Sequence, residues 1–241
     1  MAIKVAVFNR KGGVGKTTLA IILTQIALMN NKTVSAFDQD EQNSFNVSMS
    51  YLRDEPKFKD LFTLKTVLKK EDFDSSADWI IIDCPPSFNE RTRLALRNSD
   101  FIVIPVRPDM YSTMMLTQIR QAAGDYKKLF QFPLVKVGFA GNIASRLASE
   151  RITDKGYITI GNLPLYSTIP ANISSGRKKW WSVGLQAHAR KPFKAVYARI
   201  ELLHRKLQEL RRKKSERTND APDDYYDDPE NPDVSTYGLN S

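Results

Sequence analysis

Short apolar runs alternate with segments of helical spacing along the first 170 residues of the chain. Compact apolar runs of this kind are typical of strands that are buried on both faces of a sheet. They predict strands at 3–8, 33–37, 79–82, 101–105, 135–140 and 163–169. Helical spacing predicts helices at 17–29, 61–70, 111–130 and 144–155. The alternation predicts an α/β fold, with a mostly parallel central sheet and helices on both faces.

The pattern changes in the last third of the chain. Apolar residues recur at helical spacing, and they are Phe193, Val196, Tyr197, Ile200, Leu203, Leu207 and Leu210. The opposite face of this predicted helix is basic and carries Lys194, Arg199, Arg205, Lys206 and Arg211. Beyond Lys214 the sequence is acidic, contains proline and has few aliphatic residues, which is typical of disorder. We therefore predict one domain over residues 1–214 and an acidic disordered tail over residues 215–241.

Charge is unevenly distributed between these two parts. The formal net charge is +9, and residues 215–241 hold eight acidic residues and one basic residue. Residues 1–214 therefore carry 35 basic and 19 acidic residues, a net charge of +16. A basic body attracts polyanions such as nucleic acid, an anionic membrane or an acidic protein, although it can also be an ordinary solvated surface. Charge predicts attraction but not sequence recognition.

Cysteine content and hydropathy exclude several classes of protein. A single cysteine, Cys84, excludes an intramolecular disulfide and a cysteine-only metal cage within one chain. No apolar stretch reaches the roughly 18 residues that a membrane-spanning helix needs. The first residues enter the first predicted strand without a signal-peptide pattern. We expect a cytoplasmic protein.

A glycine-rich loop joins the first predicted strand to the first predicted helix. It comprises Lys11, Gly12, Gly13, Val14, Gly15, Lys16, Thr17 and Thr18. Such a loop turns backbone N–H groups towards phosphate oxygens, and the following helix adds its positive N-terminal end. Lys16 can contact the β- and γ-phosphates, and the Thr17 hydroxyl can bind Mg²⁺. The plain phosphate-loop motif begins with glycine, but this chain has Arg10 there, so only a variant of the motif fits.

The variant Lys-Gly-Gly-x-Gly-Lys-Thr-Thr resembles the deviant Walker-box P-loop ATPases of the ParA/MinD family, and the resemblance covers nearly all of residues 1–210. It implies that Lys11 is the signature lysine of that family. In relatives this lysine reaches across an ATP-sandwich homodimer to the nucleotide of the partner. The catalytic residues implied for this chain are Lys11, Lys16 and Asp40.

Two acidic segments extend the resemblance. Asp83 ends the apolar run at 79–82, and the following Cys84-Pro85-Pro86-Ser87 resembles the Asp-x-Pro-Pro segment of the family, which implies an outer-sphere Mg²⁺ residue. Residues 37–44 resemble the Asp-x-Asp-Pro-Gln switch segment. This match implies that Asp38 lies near the metal and that Asp40 positions the attacking water. Glu41 replaces the usual proline, which we expect to loosen the switch loop.

Two further positions match residues that flank adenine in relatives. They are Asn142, after the strand predicted at 135–140, and Pro170, after the strand predicted at 163–169. An amide can read the donor and acceptor edge of adenine, and proline offers a flat apolar wall. The alternative is that both are ordinary turn residues.

The family divides by the matrix that its members bind. One branch binds DNA without sequence preference, whereas the MinD branch binds membrane through a C-terminal amphipathic helix. Residues 175–214 hold 13 basic and two acidic residues. The predicted DNA contacts are Arg177, Lys178, Lys179, Arg190 and Lys191. Trp180 and Trp181 can stack on bases or anchor a loop on the core.

The resemblance implies a ParA-type ATPase, nucleoid-associated, that uses ATP and Mg²⁺. ATP is expected to drive formation of a homodimer that binds non-specific DNA. A ParB-like or cargo-adaptor protein then stimulates weak basal hydrolysis and release, which partitions DNA or positions cargo. A membrane partner is disfavoured, and the remaining alternatives are a MinD-like membrane-surface ATPase and a metabolic ATP-dependent ligase or kinase.

Two other functions are disfavoured. Iron proteins of the nitrogenase type hold a cluster with two cysteines per subunit, and this chain has only Cys84. The first predicted strand begins within a few residues of Met1, so we expect no N-terminal helix-turn-helix domain for operator binding.

Overall fold

The computed structural model describes residues 1–52, 55–124, 127–164 and 187–219. Several predicted residues lie outside these ranges, namely Pro170, Arg177, Lys178, Lys179, Trp180 and Trp181. The predicted tail lies outside them beyond Asn219. Within the described ranges, no helix combines the length and the apolar character needed to cross a bilayer.

Over the described residues, the centre of the fold is a sheet of seven strands that all run parallel. Its strands are β1 (Ile3–Val7), β2 (Val34–Asp38), β3 (Phe62–Lys65), β4 (Trp79–Asp83), β5 (Phe101–Val106), β6 (Leu134–Val137) and β7 (Thr159–Leu163). Their order across the sheet is β3-β2-β4-β1-β5-β6-β7. This arrangement confirms the predicted α/β class. Since all strands run the same way, the segments that follow them emerge at one edge of the sheet.

Six helices pack around the described part of the sheet. They are α1 (Lys16–Met29), α2 (Ser44–Met49), α3 (Glu90–Asn98), α4 (Met110–Ala123), α5 (Ile143–Asp154) and α6 (Ala187–Asn219). Short 3-10 turns lie at Ser50–Leu52, Lys70–Asp74 and Leu129–Gln131. Neither α2 nor α3 was predicted from the apolar pattern.

The core lies on both faces of the sheet. On one face, residues of α3, α4 and α5 such as Leu96, Leu116 and Ile152 join strand residues in a single apolar cluster. On the other face, Tyr197 of α6 stacks on Trp79 of β4, with ring centroids 4.6 Å apart. Burial on both faces explains why every residue of β4 and β5 is buried.

The chain divides into two compact units, Met1–Arg205 and Lys206–Ser241. Helix α6 begins in the first unit and ends in the second at Asn219, beyond the boundary predicted after Lys214. The described part of the second unit is helical and has an ion pair one turn apart, with 3.5 Å between Arg212 Nε and Glu216 Oε1. The domain boundary itself stays a prediction.

The helix predicted at 61–70 is wrong. The structure has β3 at Phe62–Lys65, paired in parallel with β2, and a 3-10 turn at Lys70–Asp74. Phe62 is buried and Thr63 is exposed, which is the alternation of a strand. Over only four residues, apolar spacing does not distinguish a strand from a helix. Pairing with β2 decided the conformation.

Other predicted boundaries also need correction. The helix predicted at 111–130 ends at Ala123, because Gly124 adopts a φ of 95° and terminates it. The strand predicted at 135–140 ends at Val137, before Gly138 with a φ of 71°. Strand β7, at Thr159–Leu163, was not predicted, and the strand predicted at 163–169 stays a prediction because residues 165–169 lie outside the described chain.

Candidate functional site

The glycine-rich loop and two predicted acidic residues meet at the carboxyl edge of the sheet. Strand β4 lies between β1 and β2, and Asp83 pairs in register with both Val7 and Asp38. The loop follows β1 directly and leads into α1 at Lys16. Parallel strand order therefore brings residues that are far apart in sequence to one site.

Two glycines of the loop have backbone conformations that other residues rarely adopt. Gly13 has a φ of 65° and Gly15 a φ of 98°. Gly15 is the N-cap of α1, and its carbonyl accepts the first helical hydrogen bond from Leu19 N at 2.9 Å. At Gly12, an added Cβ would meet no protein atom within 4 Å, so the protein itself leaves room for a side chain there. A steric need for glycine at this position would come only from a bound ligand.

Lys16 lies buried at the start of α1, and its Nζ donates to the carbonyl oxygen of Lys11 at 3.1 Å. Burial lowers the pKa of this lysine, while the nearby carboxylates of Asp83 and Asp40 oppose the shift. A buried ammonium that rests on a backbone carbonyl has donors left for an anion. Its position supports the predicted contact with phosphate.

The Thr17 hydroxyl donates to Asp83 Oδ2 at 2.7 Å. Burial raises the pKa of Asp83 to about 7, with the nearby Asp38 adding to the rise and the Thr17 hydrogen bond opposing it. The other carboxyl oxygen, Oδ1, is buried and has no hydrogen-bond partner among the described residues. An orphaned buried carboxyl oxygen is costly unless a ligand or a water occupies the space beside it.

The donor set at this point fits Mg²⁺. A hydroxyl and a carboxylate are the hard oxygen ligands that Mg²⁺ accepts, and the ion usually keeps several waters and binds substrate phosphates. Among the described residues, no three side chains of His, Cys, Asp or Glu are grouped so as to hold a metal by themselves. Thr17 and Asp83 would therefore hold the ion only together with phosphate oxygens and water.

The switch segment lies beside this site. The Asp38 carboxylate accepts hydrogen bonds from the backbone N–H groups of Asp40 at 3.1 Å and Asn46 at 2.8 Å. Burial raises the pKa of Asp38, and these hydrogen bonds oppose the rise. Asp40 lines the cavity above the loop, and its Oδ1 accepts from Gln42 N at 3.0 Å. Glu41 lies between Asp40 and Gln42 as an exposed residue.

Lys11 is not among the residues that line the cavity above the loop. Its Nζ lies 2.7 Å from Asp109 Oδ2, in the segment between β5 and α4. Its backbone N–H donates to Asn9 Oδ1 at 3.0 Å, and Asn9 Nδ2 donates to the Pro105 carbonyl at 2.8 Å. The first half of the loop is therefore fixed to the end of β5.

Above the loop lies a cavity of about 780 Å³. Its walls comprise Gly12, Gly13, Val14, Gly15, Lys16, Thr17, Thr18, Leu19, Asp40, Gln42, Pro86, Arg107, Val137, Leu163, Pro164 and Phe193. The volume is in the range of small-molecule and cofactor sites. One end is cationic and rich in backbone N–H groups, and the other is apolar, which suits a nucleotide.

Asn142 is exposed and caps α5, with its Oδ1 accepting from Ser145 N at 2.9 Å. It is not among the residues that line the cavity, so a role beside adenine stays a prediction. Of the predicted DNA contacts, the structure describes Arg190 and Lys191 near the start of α6, with Lys191 exposed. Their role also stays a prediction.

Sequence reasoning missed several residues of the site. Arg107 lines the cavity, Asp109 pairs with Lys11, and Phe193 of α6 closes the apolar end. Arg107 and Asp109 follow β5 at the carboxyl edge of the sheet. Their position directly after a predicted strand was the one sequence feature that could have identified them as site residues. Phe193 was predicted only as a core residue, because helical spacing does not show that a helix reaches the site.

Comparison with known proteins agrees with this geometry. The family model described as AAA domain matches residues 2–72 and 57–132, together more than half of the chain. The chain is 29% identical over 157 residues to the sporulation initiation inhibitor protein Soj of Bacillus subtilis strain 168, covering 48% of this chain and 62% of that protein. It is 26% identical over 195 residues to the chromosome partitioning protein ParA of Myxococcus xanthus strain DK1622, covering 61% and 69%. This chain thus spans less than two thirds of the Bacillus protein.

Two solved structures share the fold. A plasmid partition protein of Borrelia burgdorferi B31 bound to AMPPNP superposes with a TM-score of 0.63 at 18% identity, covering 85% of this chain and 100% of that chain. The septum site-determining protein MinD of Pyrococcus horikoshii OT3, complexed with Mg-ADP, gives a TM-score of 0.63 at 14% identity, covering 85% and 98%. The parallel sheet, the glycine-rich loop with its two lysines and these matches together show that the chain belongs to the ParA/MinD family of deviant Walker-box ATPases.

Proposed function

We propose that this chain is a ParA-type ATPase that binds Mg-ATP, forms a homodimer on ATP and attaches to non-specific DNA. Partner-stimulated hydrolysis then releases it, so that DNA is partitioned or cargo is positioned. The observation that carries the proposal is the different placement of the two lysines of the loop. Lys16 is buried in the wall of the cavity, whereas Lys11 leaves the same loop and lies outside that wall.

Within one subunit, the loop holds the phosphates. The backbone N–H groups from Gly13 to Thr18 and the N-terminal end of α1 attract the polyphosphate. Lys16 exchanges its bond to the Lys11 carbonyl for contact with the β- and γ-phosphates. When bound, Mg²⁺ neutralises charge on the phosphate oxygens, and Thr17 and Asp83 are the residues that would hold it.

Asp40 is the residue proposed to position the attacking water. It lines the cavity with Gln42, and its backbone is fixed by the hydrogen bond to Asp38. A carboxylate beside a triphosphate can act by orienting water more than by removing its proton. We therefore expect loss of Asp40 to slow hydrolysis while nucleotide binding persists.

Lys11 is proposed to act on the nucleotide of the partner subunit. Two triphosphates brought face to face repel each other, and a cation supplied by each subunit to the other offsets that repulsion. The pair with Asp109 holds the Lys11 ammonium outside the wall of its own cavity. ATP-dependent dimerisation then requires this ion pair to open.

DNA binding is proposed for the basic region that includes Arg190 and Lys191 on α6, together with Arg177, Lys178 and Lys179. Lys191 and Lys194 are exposed on the first turns of this helix. Flexible cationic side chains bind phosphates without reading bases, which matches attachment to the nucleoid without sequence preference. A ParB-like or cargo-adaptor protein is the proposed activator of hydrolysis.

A MinD-like membrane attachment is the second candidate, because a MinD protein shares the fold. It would use α6 as an amphipathic anchor. However, four apolar residues of α6 are already buried in the core, with Val196 and Ile200 at 0% exposure and Phe193 and Tyr197 at 3%, whereas Leu202 is exposed. Because most of the apolar stripe is used in the core, a single exposed leucine offers little surface for lipid, which favours DNA as the matrix.

The test is co-sedimentation of the full chain with non-specific DNA and with anionic liposomes in the same assay. Each matrix is offered with Mg-ATP, Mg-ADP or no nucleotide. We expect DNA binding only with Mg-ATP, and a steep loss of binding as salt rises. Binding to liposomes instead of DNA would favour the MinD-like candidate, and failure to bind Mg-ATP would overturn both.

Variants assign the roles. Lys11→Ala and Lys16→Ala should each abolish the ATP-dependent DNA binding, but only Lys16→Ala should weaken ATP binding by about tenfold or more. Asp40→Ala should trap the DNA-bound state. The matched control is Lys59→Ala, an exposed lysine before β3, which should bind ATP as the unaltered chain does.

A further inference from the structure

Arg107 lies directly after β5, at the carboxyl edge where the site is built. Strand β5 is the neighbour of β1, with Val103 paired to Val7. The Asn9 side chain binds the carbonyl of Pro105, two residues before Arg107. The start of the glycine-rich loop and Arg107 are therefore held close together, and Arg107 is part of the cavity wall.

The other cations beside the loop have partners within the chain. Lys11 pairs with Asp109, and Lys16 donates to the carbonyl of Lys11. Arg10 donates to Gln118 Oε1 at 3.1 Å and lies over the Phe88 ring at 5.5 Å. These interactions satisfy at least one donor of each cation without a ligand.

Arg107 differs from these cations. Within the described part of the chain, its guanidinium makes no ion pair and no hydrogen bond, although the residue is half-buried. A guanidinium is always charged and carries five N–H donors, so partial burial without partners is unfavourable. Such a group in a cavity wall is arranged for an anionic ligand, and its planar fork suits phosphate oxygens.

The order of the strands indicates which part of the ligand Arg107 meets. The glycine-rich loop follows β1, Arg107 follows β5, and the apolar residues Val137 and Leu163 lie at β6 and β7. A nucleotide with its terminal phosphates on the loop and its base against the apolar end passes Arg107 in between. The groups at that point are the α- and β-phosphates.

We infer that Arg107 is a nucleotide-binding residue that holds the α- and β-phosphates of the nucleotide in its own subunit. This inference rests on the proposed nucleotide site, but it does not require the dimer, DNA or the partner protein. Because ATP and ADP share these phosphates, Arg107 strengthens the binding of both equally. It is a cis counterpart of Lys11, which is proposed to act only across the dimer.

The test is isothermal titration calorimetry of the full chain with Mg-ADP, with a non-hydrolysable Mg-ATP analogue and with adenosine. Arg107→Gln keeps much of the side chain's length and removes its charge. We expect it to weaken Mg-ADP and the ATP analogue alike, by about tenfold or more, and to leave adenosine binding unchanged. Arg107→Lys should recover part of the loss, because it restores charge without the bidentate fork. The matched control is Arg93→Gln, an exposed arginine on α3.

Each contrary result overturns a definite part of the inference. If Arg107→Gln binds Mg-ADP as tightly as the unaltered chain, Arg107 does not contact these phosphates. If only the ATP analogue is weakened, the contact is with the γ-phosphate or lies across the dimer. An equal loss for adenosine indicates a role at the base. An unaltered chain that binds no nucleotide overturns the proposed site itself, and melting temperatures of the variants separate all these results from misfolding.

Discussion

The Lys11 ammonium and the Asp109 carboxylate form an ion pair, with 2.7 Å between Nζ and Oδ2. Both side chains are 32% exposed, so water weakens the pair. It joins the glycine-rich loop to the segment between β5 and α4. Under the proposed function, this pair competes with the contact that Lys11 makes across the dimer.

Asp109→Asn should therefore promote dimerisation. A partly exposed ion pair contributes about 0.5–1 kcal/mol, and a dimer opens two of them, so the dimer should form at roughly tenfold lower protein concentration. Analytical ultracentrifugation with a non-hydrolysable Mg-ATP analogue measures this shift. The gain should vanish in the double variant Lys11→Ala/Asp109→Asn, and an unchanged dimerisation constant in Asp109→Asn would contradict the competition.

The buried carboxyl of Asp83 should make stability depend on pH in protein free of nucleotide and metal. Burial raises the pKa of Asp83 to about 7 from an ordinary value of 3.8. Between these values the folded state binds more protons than the unfolded state, so the free energy of unfolding should fall as pH rises from about 4 to about 7. Urea denaturation in EDTA at several pH values measures this slope.

Asp83→Asn is the control for that slope. Asparagine still offers an oxygen to the Thr17 hydroxyl but does not titrate, so the decrease in stability over this pH range should become smaller. It should not vanish, because burial also raises the pKa of Asp38. An identical slope in both proteins would show that Asp83 titrates normally.

A close contact between β7 and α6 predicts a destabilising substitution outside the site. A Cβ added at Gly161 would overlap Val196 Cγ2. Gly161→Ala should therefore lower the free energy of unfolding by about 1–3 kcal/mol, through overpacking. Val196→Ala removes the overlapping atoms, so the double variant should be more stable than the sum of the two single effects predicts. Additive effects would exclude the contact.

The exposed Asn142 separates a structural role from the predicted role beside adenine. Because its side chain caps α5, Asn142→Ala should cost about 1 kcal/mol of stability. Asn142→Asp keeps the capping oxygen and removes the amide donors, so it should keep stability. Calorimetry with Mg-ADP then decides the second role: weaker binding by Asn142→Asp supports the contact with adenine, and equal affinity leaves only the cap.

The strands that organise the site were predictable because they are buried on both faces. Residues 79–82 and 101–105 are uninterrupted apolar runs, and the structure places β4 and β5 there. Edge elements were harder to predict. Among the described strands, β3 pairs only with β2 and alternates buried with more exposed positions, and β7 contains Gly161 and Asn162. The local sequence of neither resembles a strand that is buried on both faces.

Site residues that belong to one contiguous motif were likewise predictable. Residues that reach the site only because their strand lies beside β1 were not. The loop from Lys11 to Thr18 is visible in the sequence because one turn holds all its functional groups. Arg107 and Asp109 act through proximity to that loop, which depends on β5 lying beside β1. The direction in which Lys11 points depends on Asp109, nearly one hundred residues away.

The stacking of Trp79 on Tyr197 has a practical consequence for optical work on this protein. Trp79 is 1% exposed and begins β4, whereas the site lies at the other end of that strand, four residues on and roughly 13 Å away. Its emission should report whether the fold is intact and respond little to what fills the cavity. The chain has two other tryptophans, Trp180 and Trp181, beside the predicted DNA contacts. A change in tryptophan emission on adding ligand to the folded protein is therefore expected to come from that pair and not from Trp79.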